Sequence, residues 1–413
     1  MAQSHDSLRD LLLDLIAIHR KVDADRVRAL GAEDWARMLS MARQHRLEPL
    51  LHWRLKHEHA DVPAPDEVRQ ALAASYRSAA RGALLKQNEL ANVSRILRGA
   101  GIAFIALKGA YLAYAVYPNP AMRPLRDLDL LVRHDDALAA YQALLDGGCR
   151  RLPQYGRDPR AALADKKHLP QLLSQAGDIC VELHARLLGP DRVGFEHVDD
   201  AGIWQRRIER RAGTETLWHL APTDLLLHLI FHAAYDHKLN NGPLTLCDLY
   251  YLINKREIDW PLFWRLADEG GWTRGCLLLL KMAERYYGAL PIDYPPSTSS
   301  ELADMDAIVA SSAALTLRDF SEERDLTLLG AMGETSLHQR TSALLKRLSL
   351  HRTEISKRYP DGGASAGAYA AYVQKAARFA FTRVPAFLAH SKSDVFRRDA
   401  RRMADLDRWL IQP

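Results

Sequence analysis

Two aspartates, Asp127 and Asp129, stand two residues apart inside the apolar run 127–132, Asp-Leu-Asp-Leu-Leu-Val. In an extended strand the side chains at i and i+2 leave the same face, so the two carboxylates stand side by side while Leu128, Leu130 and Val132 face a core. Adjacent like charges are costly unless neutralised, and carboxylate oxygens suit a hard divalent cation such as magnesium. A third carboxylate for such a site is expected on a neighbouring strand. In 178–184, Asp-Ile-Cys-Val-Glu-Leu-His, the residues Ile179, Val181 and Leu183 share one face and Cys180, Glu182 and His184 the other, which makes Glu182 the candidate.

The elements around these residues can be read from the same periodicities. An apolar run rich in β-formers, 101–107, leads into Lys108-Gly109-Ala110 and a short helical segment, 111–117, closed by Pro118 and Pro120. A glycine between strand and helix lets the backbone approach a phosphate, and the helix start supplies amide donors. Arg123 and Arg126 follow just before the carboxylate pair, where a polyphosphate needs charge partners. The alternative is that these arginines only pair with Asp127 and Asp129. The run 168–173 is joined to 178–184 by Ser174-Gln175-Ala176-Gly177, a hairpin pattern, and 136–145 reads as a helix stopped at Gly147-Gly148.

Both flanks are helical. Leu8, Leu11, Leu12, Leu15 and Ile16 recur at helical spacing, Trp35, Met38, Leu39, Ala42 and Arg46 continue the pattern in a packing segment, and 67–99 forms a long helix that ends before Gly101. Beyond residue 200, Thr223 or Asp224 is expected to cap a helix that carries Asp224, His228, His232 and Asp236 at spacings of four. A histidine pair at that spacing, with Asp248 downstream, can bind zinc, but hydrogen-bonded histidines packed under the site are the favoured reading. The segment 272–287 is again helical. Prolines and serines at 291–300 form a linker, and the basic end, from Arg378 to Arg408, interleaves with aromatics and aspartates. That end is read as an amphipathic helix with a solvated face, with an RNA-binding or acidic-substrate surface as the alternative. The expected regions are 1–85, 86–205, 206–295 and 296–413.

The 413 residues are 48% hydrophobic and 26% charged, ordinary usage for a globular chain able to bury two or three cores. A net charge of +5 suits a phosphate-bearing ligand but is too weak to indicate nucleic-acid binding by itself. Cys149, Cys180, Cys247 and Cys276 are widely spaced, which argues against a disulfide framework or zinc ribbon and for the cytoplasm. Charges at Arg9, Asp10 and Asp14 interrupt the first apolar segment, so neither a signal peptide nor a membrane span is expected there.

Taken together, Leu107-Lys108-Gly109, Arg126-Asp127-Leu128-Asp129-Leu130, His168-Leu169-Pro170 and Val181-Glu182-Leu183-His184 resemble the nucleotidyltransferase superfamily with a polymerase-beta-type core. More narrowly, they are similar to a bacterial family of uncharacterised nucleotidyltransferases, over roughly residues 35 to 255. The resemblance implies an α+β fold, a small mixed β-sheet core flanked by helical regions at both ends. It also implies two magnesium ions on Asp127, Asp129 and Glu182, and a nucleoside triphosphate such as ATP as substrate. The third carboxylate helps activate an acceptor hydroxyl, and pyrophosphate is released. The superfamily's Gly-Ser turn is here Gly109-Ala110, so the phosphate grip is assigned to backbone amides at Gly109, to Lys108, and to Arg123 or Arg126. The acceptor is not legible. The rival functions are an RNA or tRNA nucleotidyltransferase and a catalytically silent nucleotide-binding partner protein. Asp129→Asn is expected to abolish turnover and to relieve repulsion in the metal-free protein.

Overall fold

The computed structural model describes residues 4–18, 22–152, 158–212, 215–298, 302, 305–317, 377 and 394–411. Among them, seven strands form one mixed sheet: β1 (Phe104–Ala106), β2 (Asp127–Val132), β3 (Arg150–Arg151), β4 (Leu172–Leu173), β5 (Cys180–His184), β6 (Ile208–Ala212) and β7 (Glu215–His219). Their spatial order is β3-β4-β5-β2-β1-β7-β6. The central pair β2 and β5 is parallel, while β1 runs antiparallel to β2 and parallel to β7. Helices α1 (His5–Ile16), α2 (Ala24–Arg28), α3 (Ala32–Gln44), α4 (Glu48–His57) and α5 (Asp66–Gly99) precede the sheet. Interleaved with it come α6 (Gly109–Tyr111), α7 (Ala137–Asp146), α8 (Pro159–Asp165) and α9 (Asp200–Arg206). After the sheet follow α10 (Pro222–Phe231), α11 (Leu244–Lys255), α12 (Trp260–Glu269) and α13 (Thr273–Tyr287). This is the α+β architecture expected from the sequence.

The alternation in β2 and β5 works as the pleat requires. Leu128, Leu130, Val132, Val181 and Leu183 are fully buried in one apolar cluster with Leu90, Val93 and Leu97 of α5 and Tyr141 and Leu144 of α7. Each such side chain contributes about 1.5–3 kcal/mol by leaving water, so the sheet face opposite the aspartates fixes their register. The expected hairpin is β4 with β5, Leu172 opposite Val181. Its turn is closed by Ser174, whose hydroxyl meets Asp178 at 3.1 Å and accepts the Ile179 amide at 3.2 Å.

One capping expectation is replaced. α10 begins with Pro222, which needs no amide partner at a first helical position, and no side chain caps it. Thr223 instead accepts the Asp259 amide at 2.9 Å, and Asp224 takes a two-point ion pair from Arg206 at 3.0 and 2.7 Å.

The chain divides into two compact units, residues 1–234 with 243–305 and residues 235–242 with 306–413. The first contains the whole sheet. In the second, the helices Asp306–Thr316 and Asp394–Ile411 pack on each other and bury Val309, Ala313, Met403 and Leu406. Arg397 pairs with Asp394 at 2.6 Å and Arg402 with Asp399 at 3.1 Å, so local aspartates neutralise part of this helix's charge, as an amphipathic helix predicts. Arg378, Arg383 and Lys392 lie outside the described residues. All four cysteines are free thiols, and no helix among the described residues is long and apolar enough to cross a membrane.

A buried clamp ties α11 to the loop before β2. Asp248 accepts Arg123 Nε at 2.9 Å and Nη2 at 2.8 Å, and the Tyr117 hydroxyl at 2.7 Å. The third guanidinium nitrogen lies against Gly109, where a Cβ would stand 2.7 Å from Arg123 Nη1. Glycine is therefore required at 109 by the close approach of Arg123. The π-helical turn Leu112–Val116 is held from outside as well, with Arg210 bonding the Tyr114 carbonyl at 2.6 Å and Arg256 the Ala115 carbonyl at 2.7 Å. Asp248→Ala leaves Arg123 charged, buried and unpaired and should destabilise the protein by about 3–5 kcal/mol. Urea denaturation beside the double variant Arg123→Met/Asp248→Leu should recover most of that loss, and a silent Asp248→Ala would refute the clamp.

Candidate active site

The parallel pairing of β2 with β5 sets Asp129 opposite Glu182 and Asp127 opposite Cys180. Neighbouring strands lie about 4.8 Å apart, so three carboxylates from two strands share one small surface. Ligand atoms of Asp129, Glu182 and His184 lie within 4.8 Å of one another, the one such group of potential metal ligands among the described residues. His184 shares its face with Glu182, two residues away. Its role was hidden in the sequence only because a terminal strand histidine has many innocent readings.

The three carboxylates are not equivalent. Asp129 receives His184 Nε2 on Oδ1 at 3.0 Å and Lys108 Nζ on Oδ2 at 3.3 Å. Burial raises its acid form, but Lys108 and His184 outweigh burial and hold it well below the usual carboxylate range. The same His184 nitrogen lies 3.5 Å from Glu182 Oε2, and Gln171 donates to Glu182 Oε1. Burial pushes Glu182 up, yet the His184 contact prevails and lowers it. His184 is raised in turn, its burial outweighed by Asp129 and Glu182. Asp127 has no hydrogen bond or ion pair among the described residues. Burial first, then the charges of Asp129 and Glu182, push it up to about 6. Carboxylates in excess of their cationic partners are the donor set and the charge condition that a divalent cation satisfies.

Lys108 reaches Asp129 because of its backbone. It sits at φ 41° and ψ −110°, a region costly for a residue with a Cβ, and the Leu107 amide bonds the Asp129 carbonyl at 2.9 Å. The Ala110 and Tyr111 amides bond back to the carbonyls of Leu107 and Lys108, both at 3.1 Å, so neither is offered to a ligand. Ala110 itself is buried in the apolar cluster of the sheet. A serine hydroxyl there would have to be desolvated, which accounts for the missing Gly-Ser turn.

Of the two arginines singled out in the sequence, Arg123 is committed to Asp248 and pairs with neither site aspartate. Arg126 is exposed and has no ion pair among the described residues. A third arginine, Arg46, follows the end of α3 at φ 59°. Burial first, then the charges of Arg126 and Arg123, lower it to about 10, while Asp127 acts in the opposite sense. Arg46 thus belongs to the same electrostatic neighbourhood. Nothing in its sequence surroundings marks it, since α3 reads as an ordinary packing helix.

The helix α10 carries no zinc cluster among the described residues. Contrary to the expectation of hydrogen-bonded histidines, His228 is buried with neither ring nitrogen partnered among the described residues.

The family model described as an uncharacterised nucleotidyltransferase matches residues 31–288. It thus takes in the helices from α3 onward as well as the sheet. No curated protein matches the chain.

The unequal carboxylates give opposite expectations for two similar substitutions. Because folding holds Asp127 above its unfolded value of about 3.9, wild-type stability falls as pH rises through the window from there to about 6. Asp127→Asn removes that step and should raise metal-free stability at pH 7.5 by about 1–3 kcal/mol. Asp129 is the reverse case: its depressed carboxyl stabilises the fold above the unfolded value, so Asp129→Asn should lower stability, and the expected relief moves from Asp129 to Asp127. Urea denaturation in chelator at pH 4.5 and 7.5 tests both, and a stabilised Asp129→Asn would overturn the ordering.

Proposed function

The chain belongs to the uncharacterised nucleotidyltransferase family and is an enzyme of that class, and from that premise we propose that it moves a nucleoside monophosphate from a triphosphate to a hydroxyl-bearing acceptor. The observation that carries this reading is the β2–β5 register, which puts Glu182 directly beside Asp129 and on the same face as Asp127. The acceptor oxygen attacks the α-phosphorus, a new O–P bond forms, the bond from that phosphorus to the bridging α–β oxygen breaks, and pyrophosphate leaves. Glu182, kept ionised by His184, is positioned to take the hydroxyl proton. Asp127, Asp129 and Glu182 would hold two magnesium ions. Such ions, when bound, lower the acceptor pKa and neutralise charge on the leaving pyrophosphate.

The remaining roles fall to cations already near the carboxylates. Lys108 has three donors and touches Asp129 with one, so it can serve a phosphate oxygen as well. Arg46 and Arg126, like charges brought together beside Asp127, form the proposed grip on the β- and γ-phosphates together with the Gly109 backbone. Arg123 holds the turn from behind.

Glu182→Gln should bind magnesium-triphosphate within several-fold of wild type yet transfer roughly a hundredfold more slowly, the scale of losing a positioned base. Nucleotide titration beside single-turnover transfer of label into a cell-extract acceptor measures this, and full activity would remove Glu182 from the chemistry. Arg46→Ala should weaken triphosphate binding by about 1.5–3 kcal/mol and monophosphate binding much less. Equal losses for both nucleotides would place Arg46 elsewhere.

A further inference from the structure

A partly open cleft of about 310 Å³ is lined by α5, by the chain from the end of α3 into α4, and by the loop before β2. A single water needs only about 10–15 Å³ of such space, so the cleft admits a ligand. α5 turns Ser75, Ser78, Ala79, Gly82 and Lys86 toward it at spacings of three and four, one face of a helix. The first four are small, which leaves the hollow. Lys86 folds back along the helix, its Nζ 4.0 Å from where a Cβ at Gly82 would lie.

The lining carries three cations, Arg43, Arg46 and Lys86, and one anion, Glu48. Both oxygens of Glu48 are used: Arg43 Nε donates to Oε1 at 3.2 Å and the Ser75 hydroxyl to Oε2 at 3.0 Å. Arg46 and Lys86 are left without an ion pair among the described residues, and Ser78 is exposed. Arg46 also occupies an unusual place. α3 ends in a turn that the Leu47 amide closes on the Ala42 carbonyl at 2.7 Å, and Arg46 takes its left-handed position at φ 59°. Glycine fills such a position at less cost, so what the arginine adds there is its side chain.

The cleft borders the candidate active site. Leu125, on its wall, stands two residues before Asp127, and the Leu125 Cγ lies 3.3 Å from where a Cβ at Gly109 would be. Arg46 is near enough to Arg126, Arg123 and Asp127 for their charges to act on it.

We propose that this cleft is a phosphate subsite, in which the Arg46 guanidinium, the Lys86 ammonium and the Ser78 hydroxyl bind the dianionic end of a phosphate-bearing ligand; its place in the reaction rests on the transferase reading above. A guanidinium and an ammonium only donate and a hydroxyl can donate, which suits a tetrahedral dianion with several acceptor oxygens. Within that reading the phosphate has two sources, the end of the triphosphate itself or a phosphate carried by the acceptor.

The test titrates inorganic pyrophosphate into the full-length protein by calorimetry, in chelator and at constant ionic strength. Wild type should bind it. Lys86→Met should weaken binding at least fivefold, and Ser78→Asp, which sets a carboxylate in the cleft from an exposed position, at least tenfold. Either variant suffices if the other fails to fold by circular dichroism. Arg160→Met, which removes an exposed charge outside the lining, should change nothing. No binding to wild type, wild-type affinity in a folded cleft variant, or an equal loss in Arg160→Met would overturn the subsite. Repeating the titration with magnesium and a saturating non-hydrolysable triphosphate separates the sources. Loss of the Lys86-dependent binding assigns the cleft to the nucleotide's own terminal phosphates, and its persistence assigns the cleft to a phosphate on the acceptor. If the triphosphate itself fails to bind while Lys86→Met still loses pyrophosphate, the transferase reading falls and the subsite stands.

Discussion

The structure depends on one electrostatic problem: Asp129 and Glu182 stand opposite each other on two parallel strands, with Asp127 on the same face two residues away. At such separations in a poorly solvated site the repulsion is worth several kcal/mol. The protein meets part of it with Lys108 and His184, both directed at Asp129, and leaves Asp127 without a partner among the described residues. One aspartate is thus firmly ionised while its neighbour two residues away is held near the point of protonation. The asymmetry follows from register. The Lys108 turn docks on the Asp129 backbone, and the His184 ring reaches back two residue pairs along the strands to Asp129.

The Lys108 turn would not hold its backbone conformation alone. Positive φ with a Cβ is tolerated only when surrounding contacts over-determine it. Here they come from several directions: the Leu107 amide on β2, the ammonium on Asp129, and Arg123 pressed against Gly109 by Asp248. Asp248 lies 125 residues from Arg123 in sequence. The helices beyond the sheet therefore help to hold the candidate site, and the family match runs well past the last strand.

The parts of this design that obey short periods could be read from the sequence. Alternation exposed the common face of Asp127 and Asp129, the core face of β5 and the β4–β5 hairpin, because one-sided burial enforces period two. The Lys108-Gly109 turn was visible from its glycine, although the close approach of Arg123 that also calls for a glycine there was not. Long-range partners could not be read. Whether Arg123 meets Asp127 or Asp248, and whether Arg46 at the end of a packing helix approaches Arg126, depends on tertiary contacts that leave no local pattern. The misplaced cap at Thr223 and Asp224 has the same origin, since tertiary partners took both side chains.

Two histidines show how far environment overrides residue type at this site. His184 is buried between carboxylates, so its charged form is favoured despite the loss of water. His228 is equally buried, and with no carboxylate bonded to its ring, burial first and then the charges of Lys108, Lys167 and His184 hold it neutral. An ion arriving at the carboxylates would add positive charge to the same region and reinforce the neutral state of His228. The same residue type is thus driven to opposite charge states by whether a carboxylate stands within hydrogen-bond reach of its ring.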